Sequence, residues 1–289
     1  MKENKIWNDY LPEDMQEHWT VYECLKESED SSTFLVKETA TGILCVLKWG
    51  RNRQTEFLRN EMEIMKKMAD RKLSGIPKAY RIFEENGEGY LVREYIEGMS
   101  LAQMVLQKGG ISEAEICRIS RKICQTAEQF QNPDEPMIHR DIKPENIVVT
   151  PGGEVVFIDF GTMRSYKKDG SRDTFVVGTR GTAAPEQYGY TQTDQRTDVY
   201  AIGQTMLYMV SESYEMNQLS ECAVSRRMKK IIEKACSFEP DKRYGDAAQL
   251  RRAVEKCQAN NRKKVYKKAG AVFGPVSYTH LRAHETLSD

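Results

Sequence analysis

The sequence predicts an α+β fold of two unequal lobes, a small N-terminal antiparallel sheet with one helix and a larger, mainly α-helical C-terminal part. Three observations carry that expectation. From Trp19 to about Tyr95 the chain is strand-rich, with a single helical interruption. After Gly98 its character changes to helices. "DVYAIGQTMLYMV", 198–210, is apolar nearly all round, as a helix buried inside a core is. That order predicts a cleft between two lobes.

Residues 1–18 are polar with Trp7 and Tyr10 interspersed, and read as a short extension able to pack on the domain. In "TGILCVLKW" the Thr41–Gly42 pair marks a turn, and the β-branched run after it is the return strand of a hairpin. "QTEFLRNEMEIMKKMA" sets Phe57, Leu58, Met62, Met65 and Met68 at helical spacing. "EGYLVREYI" is a further strand. Ser112 and Glu115 form a capping-box pattern ahead of a helix ending near Gln131. "NIVVTPGGEVVFIDF" is two short strands joined across Pro151-Gly152-Gly153. "RRMKKIIEKACSF" and "YGDAAQLRRAVEKC" are amphipathic helices.

The chain has 289 residues, ample for a core. Lys+Arg and Asp+Glu both number 43, so the net charge of zero gives no support for nucleic-acid binding. Seven scattered cysteines without a C-x-x-C pair indicate neither a disulfide framework nor a zinc site, and a reducing cytosol fits best. The N-terminus has no apolar signal region, and no run of about 18 apolar residues occurs.

The end of the chain changes character. "RKKVYKK", 262–268, is basic, and "AGAVFGPV" begins an apolar run that stops. "SYTHLRAHETLSD" resembles a translated sequencing-adapter tail, so residues 276–289 are read as foreign to the protein. Residues 259–275 then suit a cytoplasmic juxtamembrane segment entering a membrane anchor in a longer natural chain, and equally suit a solvated polar tail.

The chemistry is concentrated in "HRDIKPEN", His139–Asn146, followed by "IDFG", Ile158–Gly161, and "APE", Ala184–Glu186. With these three motifs in this order, the chain resembles the protein-kinase family, of the serine/threonine type common in bacteria. The resemblance runs from about Trp19 to Cys257. It implies an N-lobe over 19–96 and a C-lobe over 97–258.

Phosphoryl transfer depends on positioning and on neutralising phosphate charge. Asp141 is expected to accept the hydroxyl proton, and Lys143, two residues on, to reach the transferring phosphate. That lysine is the one that kinases acting on Ser or Thr carry. Asn146 and Asp159 supply the hard oxygen ligands that Mg²⁺ prefers, with Mn²⁺ an acceptable substitute. Lys48 in "CVLKWG" matches the lysine that holds the α/β-phosphates of ATP. Its partner is a glutamate of the following helix: Glu56, Glu61 or Glu63, with Glu61 preferred for its place beside the Met65/Met68 stripe. The resemblance also implies a buried ion pair between Glu186 and Arg243, and an Asp198 that holds the catalytic-loop backbone. Glu186 and Arg243 favour a protein substrate over a small molecule.

Within the activation segment, Thr179 sits where the family's threonine bonds the base and the catalytic lysine. Arg140 typically docks a phosphorylated loop. Thr174 and Ser171 are candidate autophosphorylation sites as well as ordinary loop hydroxyls. Thr182 stands where a tyrosine is commoner. Glu94 to Ile96 resemble the hinge that offers backbone groups to adenine, which puts Arg93 at a gatekeeper position that is usually apolar or Thr, unless the register is shifted by one.

The phosphate loop departs from the family. Its three glycines fall on Lys26, Ser28 and Ser31, and Glu27, Glu29 and Asp30 are acidic. Amide N–H groups bind phosphate whatever the side chain, so Ser28 and Ser31 remain candidate ATP contacts. The like charge predicts weak ATP binding, looser than about 10 μM within the usual range of KM values. This loop and Arg93 motivate a second reading, a pseudokinase scaffold. Such kinases often dimerise lobe to lobe, although nothing in the sequence shows a homodimer. The expected location is cytoplasmic, as a free protein or as the cytoplasmic domain of an anchored one.

Overall fold

A computed structural model describes residues 11–132, 134–166, 179, 181–189 and 192–272. Its N-terminal part is a five-stranded antiparallel sheet in the order β1-β2-β3-β5-β4, from β1 (Trp19–Glu27), β2 (Ser31–Glu38), β3 (Leu44–Arg51), β4 (Ala79–Glu85) and β5 (Glu88–Glu94). Period-2 alternation sorts the strands' side chains onto two faces. Phe34, Val36, Cys45, Leu47, Tyr90 and Val92 form one buried cluster. Leu11 and Met15, flanking and within the short α1 (Glu13–Gln16), join it together with Trp19. The extension therefore packs on the sheet from Leu11 onward; Trp7 and Tyr10 lie outside the described residues. The β2–β3 turn falls where Thr41–Gly42 placed it. Gly42 takes φ +74°, a conformation that costs glycine little, and its N–H closes on the Glu38 carbonyl at 2.8 Å.

The opposite face of the sheet receives α2 (Arg53–Asp70). Its buried stripe is Thr55, Leu58, Glu61, Met62, Ile64, Met65 and Met68. Phe57, expected in that stripe, is only half-buried and packs against Gly161. One position on the helix surface is a rotation of 100°, enough to carry a ring from the stripe to its margin. The strand expected to run to Ile96 ends at Glu94.

The rest of the chain is mainly helical: α3 (Leu101–Lys108), α4 (Glu113–Phe130), α5 (Gln195–Ser211), α6 (Arg226–Ala235) and α7 (Ala247–Val272). A short antiparallel sheet lies between, from β6 (Met99–Ser100), β8 (Ile147–Val149) and β9 (Val155–Phe157), with a pair of β7 (Met137–Ile138) and β10 (Arg164–Ser165). Ser112 accepts the Glu115 amide N–H as half of the expected box; the reciprocal box occurs at Ser100 and Gln103 instead. Helix α5 is buried on nearly every side, as its composition requires. At Gly203 a Cβ would lie 2.7 Å from Ala235 Cβ and Cys236 Sγ, so only glycine lets α5 approach the end of α6 this closely. The basic stretch from 262 continues α7. Among the described residues, no helix is long and apolar enough to cross a membrane.

Candidate active site

Strand β3 and helix α2 deliver the first cluster. Lys48 Nζ lies 2.8 and 2.7 Å from the two carboxylate oxygens of Glu61 and 3.2 Å from Asp159 Oδ1. Of the three glutamates left open by the sequence, Glu61 is the one that meets Lys48. It is 1% exposed, well inside the stripe rather than at its edge. Burial pushes its carboxyl up; the Lys48 ammonium and the Arg93 guanidinium pull it down. A buried carboxylate held bidentately by a lysine fixes the lysine's position, because leaving it unpaired would be costly.

Asp159 is reached through β9. Its backbone neighbour Ile158 donates to the Asn146 carbonyl at 3.0 Å, tying the "IDFG" turn to the catalytic loop. Desolvation opposes its charge, but Lys48 and the Gly161 amide outweigh that and hold its carboxyl at about 2. Helix α2 also grips this turn directly: Asn60 Nδ2 donates to the Gly161 carbonyl at 2.9 Å and to the Met163 carbonyl at 2.8 Å. Nothing in the local pattern marks Asn60, an ordinary polar helix residue whose partners lie about a hundred positions away.

The second cluster is built on residues 139–146. Arg140 takes φ +67°, an unfavourable conformation for a side chain with a Cβ. Asp198, fully buried on α5, accepts the His139 amide at 3.0 and 3.1 Å and the Arg140 amide at 3.0 Å. Burial raises the Asp198 carboxyl to about 6, against the pull of those two amides. Gln187 Nε2 holds the Arg140 carbonyl at 2.7 Å, another contact without a sequence signal. Arg140 Nε donates to the Thr162 carbonyl at 2.7 Å.

This clamp aims Asp141 at three groups. Lys143 Nζ is 2.8 Å from its Oδ2, Asn146 Nδ2 donates to the same oxygen at 2.8 Å, and Thr179 Oγ1 donates to Oδ1 at 2.7 Å. Lys143 also reaches Thr179 Oγ1 at 2.5 Å. With its amide nitrogen on Asp141, Asn146 keeps its amide oxygen out of these bonds. That oxygen and the Asp159 carboxylate, 39% exposed, are a donor set that suits Mg²⁺. Thr174 and Ser171 lie outside the described residues. Thr182 is buried, its hydroxyl donating to the Thr179 carbonyl at 3.3 Å.

The Glu186–Arg243 pair forms as expected, at 2.7 and 2.9 Å, with Thr197 Oγ1 also on Glu186. Arg243 spends its remaining donors on the Ser237, Arg196 and Phe238 carbonyls.

Ser28 and Ser31 are brought to each other. Ser28 N–H donates to the Ser31 carbonyl at 2.8 Å, and the two hydroxyls lie 2.8 Å apart. The β1–β2 turn is therefore closed by serine bonds where glycines were absent, and the Ser28 amide is already engaged. Asp30 turns toward β3, 2.9 Å from Arg51 Nε and 3.3 Å from Asn52 Nδ2. Glu27 and Glu29 are exposed. Arg93 pairs with Val46 and Glu94 with Cys45, and Arg93 is the buried residue next to Glu94.

The protein kinase domain family matches residues 20–264. The chain belongs to the protein-kinase family. It is 29% identical over 253 residues to serine/threonine-protein kinase D of Synechocystis, covering 77% of this chain and 48% of that protein. It is 35% identical over 147 residues to a probable serine/threonine-protein kinase of Clostridium perfringens, covering 50% of this chain and 21% of that protein. The serine/threonine-protein kinase PknB of Mycolicibacterium smegmatis is 30% identical over 184 residues, 56% of this chain and 29% of PknB. The chain thus spans half or less of the length of these curated relatives.

Proposed function

We propose that this kinase-family chain transfers the γ-phosphoryl group of ATP to Ser or Thr hydroxyls of protein substrates, in the cytoplasm, with 19–96 as N-lobe and 97–258 as C-lobe. The observation that carries this reading is the convergence on Asp141. One carboxylate oxygen is held by Thr179, the other by Asn146 and Lys143.

In this reading Asp141 orients the acceptor hydroxyl and takes its proton as the oxygen attacks. Positioning of this kind accounts for most of what a phosphoryl-transfer enzyme contributes. Lys143 lies beside Asp141, placed to follow the transferring group, and Thr179 fixes both side chains. Lys48, pinned by Glu61, holds the α/β-phosphates. Asn146 and Asp159 would hold Mg²⁺, which supplies charge neutralisation along the phosphates. Glu186 and Arg243, tying the segment after Thr179 to the helical lobe, favour a protein over a small-molecule acceptor. The scaffold reading has less in its favour, because a binding-only protein has no chemical need for Lys48, Asp141, Lys143, Asn146 and Asp159 together.

The test is label transfer from ATP with Mg²⁺, with and without a generic protein substrate, beside Asp141→Asn. Labelled protein is expected from the wild type and not from the variant. A folded wild type that labels no protein refutes the proposal.

A further inference from the structure

Beside Glu94 the fold buries a cation that the proposed reaction does not use. Arg93 stands opposite Val46, two residues before Lys48 on β3, so strand alternation puts Arg93 on the Lys48 face of the sheet. It is 3% exposed. Its Nη1 donates to the carbonyl of Glu94 at 3.0 Å, and its Nε is buried with no hydrogen-bond partner among the described residues. Among the described residues no carboxylate closes on it. Glu61, Asp159 and Glu94 act on it only as neighbouring charges, while burial works against its own. A guanidinium has five N–H donors and no acceptor. Buried donors left unpaired are costly, so the Arg93 guanidinium suits a ligand that brings acceptors.

The next step rests on the reading above, that a nucleotide base lies against Glu94–Ile96. A hinge carbonyl receives adenine through the 6-amino group, the one exocyclic donor that adenine has. Here the Glu94 carbonyl already accepts from Arg93, and the remaining guanidinium donors would face another donor. A 6-oxopurine reverses the match. Its O6 and N7 are adjacent acceptors, the pair that an arginine fork binds in guanine.

We propose that Arg93 makes this site prefer 6-oxopurine nucleoside triphosphates, GTP or ITP, over ATP as phosphoryl donor. The transfer itself is unchanged. The bond from γ-phosphorus to the β,γ-bridging oxygen breaks and the bond to the acceptor hydroxyl oxygen forms. The hydroxyl proton passes to Asp141, and the nucleoside diphosphate leaves.

The experiment is calorimetric titration of the full chain with the Mg²⁺ complexes of ATP, GTP and ITP, for wild type and Arg93→Met. Wild type is expected to bind GTP and ITP more tightly than ATP, on the order of 5- to 150-fold, the worth of one such arginine pair. Tight ITP binding assigns the effect to O6, since ITP lacks the 2-amino group. Arg93→Met is expected to abolish the preference; should it not fold, Arg93→Lys, which keeps the charge and loses the fork, takes its place. Wild-type binding of ATP at least as tight as that of GTP and ITP overturns the proposal, as does a preference that survives the substitution. If ATP is preferred and still labels protein, only the role of Arg93 falls. If no nucleotide binds and none is transferred, the kinase reading falls with it.

Discussion

Replacing His139 by phenylalanine tests how the catalytic loop is anchored. The imidazole is 1% exposed and packs among Phe130, Phe157 and Phe160, with ring centroids 5.3–6.1 Å apart. Neither ring nitrogen has a hydrogen-bond partner among the described residues. Burial lowers its pKa from 6.5 to about 4, although Asp141 and Asp159 favour the charged form. Between these values the unfolded chain binds a proton that the folded one refuses, so stability is complete above pH 6.5 and falls with pH below it. The whole difference is worth about 3 kcal/mol, and about 2 kcal/mol of it is lost by pH 5. Phenylalanine cannot titrate. The two neighbouring amides on Asp198 are backbone groups and survive the change. At pH 7 the extra ring atom costs roughly what relieving the unpaired nitrogens gains, about 1–3 kcal/mol each. The assay is urea unfolding at pH 7, 6 and 5. The stability gap, His139→Phe minus wild type, should widen by about 2 kcal/mol from pH 7 to pH 5. A gap that stays constant, or that narrows on acidification, refutes the reasoning.

Three further substitutions have outcomes set by the same geometry. Glu186→Ala strands a fully buried Arg243 and should lower stability by about 3–5 kcal/mol in denaturant melts; a loss under about 1 kcal/mol would mean that the three carbonyls on Arg243 suffice without the carboxylate. Glu29→Gln should tighten Mg-ATP binding by less than about tenfold, with the gain vanishing at 1 M salt, because an exposed charge acts through a screened field. Asp30→Asn, already turned toward Arg51, should change binding less; a salt-independent gain at either position would contradict this account.

Local sequence was most informative where chemistry is contiguous. His139–Asn146 places a carboxylate, a lysine and an amide oxygen within eight residues, so their types and spacing are legible without a fold. Helical period singled out Glu61 among the three glutamates, and the family match in "CVLKWG" located Lys48. Composition made α5 a buried helix. Glu186, Asp198 and Arg243 were legible only through family resemblance, since nothing local marks them.

What the sequence by itself determined is therefore the order of elements, the lobe-like division of sheet and helices, and the kinase motifs, all encoded in neighbouring residues through periodicity and residue chemistry. Tertiary structure alone decided the rest: the depth at which Glu61 sits, the grip of Asn60 on Gly161 and Met163, the hold of Gln187 on Arg140, the closure of Ser28 on Ser31, and the burial of Arg93 against the Glu94 carbonyl with its Nε unpaired among the described residues. Most of these contacts join residues far apart in the chain, and all depend on how elements pack. Packing selects a partner by distance and direction in space, which no local pattern of residues records.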